Sequence, residues 1–166
     1  MPNQKSIVIN TGPIIALVAA LGDLSILKCL YKDVWVPFEV CSEILQGGSS
    51  LFAVNEFQVA AWLLKQPVAQ IISPFLNQAL DIGEASVVQL ALQKNISTVC
   101  IDEAVGRRVA RLNGLRLTGS IGILIRAKRE GFPIVIRDAI QRMKSHGIWL
   151  SDGVVSFALE QAGEGH

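Results

Sequence analysis

Two short runs of apolar residues each end abruptly in polar side chains: Ile7-Val8-Ile9 before Asn10-Thr11, and Thr98-Val99-Cys100-Ile101 before Asp102-Glu103. A helix-like pattern follows each run at once. Strands covered on both faces of a parallel sheet read as continuous apolar runs of this kind. Open α/β sheets keep their binding sites beyond the C-terminal ends of such strands. Residues 6–10 are a predicted strand, with Thr11 capping the next helix and Gly12-Pro13 in its first turn. Residues 14–20 continue that helix with almost wholly apolar side chains, and residues 24–31 form a second, shorter one. Val34-Trp35-Val36 reads as a brief strand stopped by Pro37, and residues 38–45 as a helix carrying Glu39 and Glu43, ended by Gly47-Gly48-Ser49-Ser50.

The next stretch is harder to read. Residues 51–64 are amphipathic, but Pro67 and Pro74 leave residues 68–72 open between a strand and an extended link. From Asp81 the pattern sharpens: a helix to Lys94, a strand over 98–101, a basic-faced helix over 103–113 stopped by Gly114, a strand over 115–118, and a turn at Gly119-Ser120. Helices over 121–129, 133–144 and 152–161 follow, the last capped by Ser151. Alternation of this kind predicts a parallel sheet with right-handed crossovers, an α/β fold in a single domain over residues 1–166.

Composition narrows the choices. Half of the residues (51%) are hydrophobic and only 17% charged, which favours a large core over disorder. The formal net charge of +1 supplies no global field for nucleic acid, so any such binding falls to local patches. Cys29, Cys41 and Cys100 are odd in number and lie in apolar runs, and are predicted to be reduced core thiols of a cytoplasmic protein. Residues 7–21 resemble a secretory or membrane segment only superficially, because Asn10-Thr11-Gly12-Pro13 interrupts them. A strand entering a buried helix fits better, and no membrane partner is expected.

The candidate chemistry is carboxylate chemistry. There is no Walker-type loop and no GxGxxG after the first strand, which argues against a nucleotide-binding doubly wound domain. His146 and His166 lie near a turn and at the end of the sequence, so they offer no histidine base or zinc site. What remains is Asp102 at a strand end, Glu43 and Glu84 on helices, and Asn10 at the other strand end. Each has a plainer reading beside it. Asp102 can cap the helix that starts at Glu103; Asp81 and Glu84 fit a capping box; Glu43 can be a solvated helix carboxylate; Asn10 can tie a turn; and the arginines after Asp102 can be a wet helix face. Clustered carboxylates raise one another's pKa unless a cation neutralises them, and Mg²⁺ prefers such oxygen ligands. In two-metal sites, ions roughly 3.5–4 Å apart activate a water and stabilise the leaving oxygen of a phosphodiester.

The ordered set of motifs resembles the PIN nuclease superfamily. It comprises Val8-Ile9-Asn10-Thr11-Gly12-Pro13-Ile14-Ile15, Val36-Pro37 with Glu43 following, Asp81-Ile82-Gly83-Glu84-Ala85, and Ile101-Asp102-Glu103 with Gly106-Arg107-Arg108-Val109-Ala110. Leu117-Thr118-Gly119-Ser120-Ile121-Gly122, Ala127-Lys128-Arg129-Glu130-Gly131 and Gly147-Ile148-Trp149-Leu150-Ser151-Asp152 are similar to a prokaryotic PIN-like subfamily grouped with toxins of type II toxin–antitoxin pairs. The resemblance runs from Ile7 to Gly163 and is weakest over residues 48–80. It implies a three-layer α/β/α fold with a parallel central sheet and cleavage of RNA with Mg²⁺ or Mn²⁺. It places the four catalytic and metal-ligating positions on Asn10, Glu43, Glu84 and Asp102, with Thr11, Arg107, Arg108 and Ser120 at the substrate. A small antitoxin is the implied protein partner, and Trp35, Trp62 and Trp149 permit a homodimer.

One position departs from the family. Asn10 stands where an aspartate is usual. Its amide oxygen can ligate Mg²⁺ but brings no charge. The alternative is therefore a PIN-like module that has lost catalysis and binds a protein or RNA partner.

Overall fold

The computed structural model describes residues 5–47 and 52–165. Its centre is a five-stranded, wholly parallel sheet of β1 (Ile7–Ile9), β2 (Val34–Val36), β3 (Leu64–Lys65), β4 (Thr98–Cys100) and β5 (Arg116–Thr118), in the order β3-β2-β1-β4-β5. Ile7, Val8 and Ile9 are fully buried, as are Val99, Cys100 and Ile101, because helices cover both faces of the sheet. The continuous apolar runs noted in the sequence are thus β1 and β4, two of the three inner strands. Val8 pairs with Val99 and Ile9 with Cys100, so Asn10 and Ile101 leave the sheet side by side.

The switch in strand order at β1 decides which face each helix covers. The chain steps outward from β1 through α1 (Thr11–Leu21) and α2 (Ser25–Leu30) to β2. It returns past β1 to β4 through α6 (Ile82–Lys94), and reaches β5 through α7 (Ala104–Leu112). α6 lies against β1, β4 and α7, whereas α1 lies against α8 (Ser120–Arg129) and α9 (Ile136–Ser145), giving the three-layer α/β/α arrangement. α10 (Asp152–Gln161) packs on α8 and α9, and α3 (Phe38–Leu45) contacts both α1 and α6. That position of α3 brings Glu43 to the strand ends.

Local chemistry sets the element boundaries. α1 ends at Gly22, whose left-handed φ of 88° lets its amide reach the Val18 carbonyl at 2.8 Å. α6 starts at Asp81, whose carboxylate accepts the Glu84 amide at 2.8 Å, and Ser151 caps α10 by accepting the Val154 amide at 3.1 Å.

The poorly legible stretch holds α4 (Val54–Val59), β3 and α5 (Pro74–Ala79). The amphipathic segment predicted from residue 51 is thus a short helix followed by an edge strand. Leu51 and the Gly48-Ser49-Ser50 helix stop lie outside the described residues. Residues 68–72 form an extended link, not a strand. The link is tied by the Gln70 amide to Glu39 Oε2 (2.9 Å) and by Gln70 Nε2 to the Ser86 carbonyl (2.9 Å).

Cys41 and Cys100 are buried thiols as expected, but Cys29 is exposed on α2. Leu27 and Leu30 take the inward face of that short helix, which turns Cys29 and Lys28 outward. Among the described residues no helix is long and apolar enough to cross a membrane.

Candidate active site

The polar residues predicted from the sequence collect along the C-terminal edge of the sheet in three adjoining corners. The first is built on Gly83, in the opening turn of α6. A Cβ at this residue would lie 3.0 Å from Glu43 Oε2, 3.2 Å from Asn10 Oδ1 and 3.6 Å from Asp81 Oδ1. The missing side chain leaves room for three oxygens from three elements. Asn10 occupies the N-cap position of α1 in extended backbone (φ −88°, ψ 168°), yet its side chain makes no capping bond. Its Oδ1 is buried without a hydrogen-bond partner, and so is Thr11 Oγ1. The expected Thr11 cap is therefore absent. Thr11 is already the first residue of α1, one position too late to serve its amides. Glu43 is exposed on α3.

Glu84 forms the second corner. Asp81 caps α6 as the capping-box reading expects, but Glu84 Oε2 is buried without a partner, on a residue only 4% exposed. That oxygen sits against Gly106 of α7, so closely that a Cβ there would overlap the carboxylate. The carboxylates of Asp81, Glu84 and Glu103 offer oxygens that all lie within 4.8 Å of one another. Burial pushes the Glu84 carboxyl up to about 7, and the neighbouring Asp81 and Glu103 carboxylates push in the same direction.

Asp102 makes the third corner. It does not cap the helix that follows it: Glu103 holds that N-cap position, and its side chain makes no capping bond. Asp102 reaches across to α8, accepting the Ser120 amide at Oδ1 (2.8 Å) and the Ser120 hydroxyl at Oδ2 (2.9 Å). A carboxylate at this helix N-terminus also meets the positive end of the helix dipole. Arg107 Nη1 donates to the carbonyls of Ile101 (2.7 Å) and Thr118 (3.2 Å). Asp102 Oδ1 and Arg107 Nη1 flank Gly119, lying 2.6 and 3.0 Å from where its Cβ would be. Arg107 thus braces the ends of β4 and β5, while Arg108 beside it is exposed.

The fold unites Asn10 with Glu43, and Asp102 with Ser120 and Arg107, while Glu84 sits among acids that were read from sequence only as a cap and as a helix start. The one sequence signal for those acids was adjacency: Asp81 three residues before Glu84, and Glu103 directly after Asp102. Hard oxygen donors, three of them buried and unpartnered, fit a Mg²⁺- or Mn²⁺-sized cation. Carboxylates and an amide oxygen are also the donor set that such ions prefer over softer metals.

The parallel sheet, with its topological switch at β1 and an acidic edge beyond the ends of β1 and β4, defines an open α/β domain with its polar cluster at the strand ends. A family model described as PIN domain matches residues 6–164, and the chain belongs to that family. No curated protein matches the chain.

Proposed function

We propose that this PIN domain is an endoribonuclease dependent on Mg²⁺ or Mn²⁺. The observation that carries the reading is Glu84: a buried carboxylate with an orphaned oxygen, among acids, at the edge where an open α/β sheet keeps its site. Glu43, Glu84 and Asp102 hold the cation, with Asn10 Oδ1 as a neutral ligand. When bound, the cation supplies charge stabilisation at the scissile phosphate and lowers the pKa of a water. Ser120 and Arg107 hold the Asp102 strand end in place. The exposed Arg108 is suited to a backbone phosphate, and Thr11, directly after Asn10, is assigned to the substrate by the family resemblance alone. The subfamily resemblance supports the toxin half of a toxin–antitoxin pair, with a small antitoxin as partner. Exposed Val68 and Ile71 on the link after β3, with Phe75 in the first turn of α5, support self-association.

Cleavage of a mixed single-stranded RNA in Mn²⁺ tests this reading, with wild type beside Asp102→Asn. The isosteric change keeps a hydrogen-bonding partner for Ser120 and removes the charge. Loss of cleavage in a variant that melts like wild type supports the assignment, and full cleavage by Asp102→Asn overturns it.

Asn10 favours one second reading, a PIN-like module that binds a partner without cutting. It predicts that wild type gains no thermal stability from millimolar Mn²⁺.

A further inference from the structure

Asp81 and Glu103 lie outside the four positions marked by the family resemblance, yet they are the acids that the fold brings to Glu84. Neither is fully used by its own helix. Asp81 spends Oδ1 on the Glu84 amide, and Glu103 sits at the N-cap of α7 without making a capping bond. Two oxygens on opposite sides of a Mg²⁺ or Ca²⁺ ion, at about 2.1–2.6 Å each, stand about 4.2–5.2 Å apart. The 4.8 Å limit on the three carboxylates falls within that span.

A second observation points to an ion, independently of the acidic cluster. Glu84 is 4% exposed and its Oε2 finds no donor in the protein. An ionised carboxylate taken out of water without a partner is among the costliest groups a fold can hold. Asn10, 8% exposed and with its Oδ1 also unpartnered, shares the Gly83 corner with Asp81 Oδ1. Asn10 thus adjoins Asp81 in one corner, and Asp81 adjoins Glu84 and Glu103 in the next.

We infer that Asp81, Glu84 and Glu103 together ligate the divalent cation, so that Asp81 and Glu103 supply the negative charge that Asn10 does not. The inference rests on the metal-dependent reading above and deepens it by adding Asp81 and Glu103 to the ligands named there. Asn10 is then a tolerated neutral donor at the rim of the site, and the aspartate usual at its position is replaced in charge by the N-cap residues of α6 and α7.

Direct Mn²⁺ binding tests this without any assay of cleavage. Free Mn²⁺ is followed by its electron paramagnetic resonance signal during titration of wild type, Asp81→Asn, Glu103→Gln, Glu43→Gln and Asp102→Asn. Asparagine keeps the cap at position 81. Asp81→Asn and Glu103→Gln are each expected to weaken Mn²⁺ binding by at least the roughly tenfold that even an outer-sphere partner is worth. Glu103→Gln should also melt higher than wild type in chelator, because a repelling charge is gone, and gain less on adding Mn²⁺. Unchanged Mn²⁺ affinity in both variants overturns the inference. If Glu43→Gln and Asp102→Asn then lose binding, the metal-dependent reading stands and only this ligand set falls. Wild type that binds no Mn²⁺ at millimolar concentration overturns both.

Discussion

Ser120 grips Asp102 with two hydrogen bonds, its amide on Oδ1 at 2.8 Å and its hydroxyl on Oδ2 at 2.9 Å. The pair joins the end of β4 to the start of α8 across 18 residues of chain. Ser120 is itself 2% exposed, so the grip is made from a fixed base. Removing the hydroxyl in Ser120→Ala leaves the amide bond and frees Oδ2. We expect a loss of about 1 kcal/mol in stability, discounted because Asp102 is exposed, and a larger relative loss of Mn²⁺-dependent cleavage. Urea unfolding and an initial-rate assay measure the two. Unchanged cleavage would show that Asp102 needs no such anchoring.

Gly106 lies inside α7, where alanine normally stabilises a helix by roughly 0.5–1 kcal/mol over glycine. Here the sign reverses. The added methyl would overlap Glu84 Oε2, lie 2.9 Å from the Glu84 carboxyl carbon and come within 3.0 Å of Ile101 Cγ2. Ile101 is fully buried and cannot move aside cheaply. Gly106→Ala is expected to lower the urea midpoint and weaken Mn²⁺ binding together. A variant as stable as wild type, or more stable, would mean that Glu84 can leave this corner freely.

The pH dependence carries two opposite signs. Glu84 has its carboxyl raised from 4.5 to about 7, so between those values the folded protein holds a proton that the unfolded chain has released. Its contribution to metal-free stability is full below 4.5 and is lost as pH rises through about 7. A cation must displace the same proton, so Mn²⁺ affinity is expected to rise with pH over that window. Melting curves in chelator and in Mn²⁺, from about pH 5 to about pH 8, should converge at the acidic end and separate at the alkaline end. A constant separation across the range would contradict the assignment.

Glu164 works the other way. Burial alone would raise its carboxyl, but Lys128 at 2.5 Å and the amides of Arg137 (3.0 Å) and Ile136 (2.8 Å) outweigh that and hold it below its ordinary value. Its contribution is therefore present above the unfolded value of 4.5 and disappears as pH falls through the lower folded value. Glu164 caps α9 from outside, tying the C-terminal segment to its first turn. Glu164→Gln keeps one of the two acceptor oxygens and loses the ion pair, whereas Glu164→Ala loses both acceptors and the ion pair. The alanine variant is expected to cost about 1–2 kcal/mol near neutral pH, the range of a lost helix cap, and the glutamine variant less. Equal costs would assign the whole effect to the lost charge and none to the acceptor oxygens or the packing of the side chain.

Much of this architecture was legible because its inner strands are buried on both faces. Ile7-Val8-Ile9 and Val99-Cys100-Ile101 have no solvent side, so their continuous apolar runs mark them without any partner in view. β3 was not legible for the opposite reason. It is a two-residue edge strand, half exposed, whose pairing to Trp35 and Val36 comes from the sheet rather than from its own sequence. Cys29 was misplaced because an apolar neighbourhood along the chain says nothing of which side of a six-residue helix faces out.

The site divides in the same way. Asn10, Glu84 and Asp102 could be singled out because each follows a strand or opens a helix. That Asp81 and Glu103 stand beside Glu84 depends on how α6 and α7 lie together across the sheet edge, which no spacing along the chain encodes. The glycines at 83, 106 and 119 were read as turn or motif residues, and only the folded arrangement gives them their common role of making room for a carboxylate or its neighbour.

The most direct measurement is the rate of RNA cleavage against Mn²⁺ concentration for wild type and Asn10→Asp side by side. If carboxylates elsewhere in the site already balance the cation, both proteins cut, and Asn10→Asp saturates at lower Mn²⁺ with a similar limiting rate. If wild type stays silent at every Mn²⁺ concentration while Asn10→Asp cuts, the nuclease assignment for this chain is wrong, and the missing charge at Asn10 is what removed the activity.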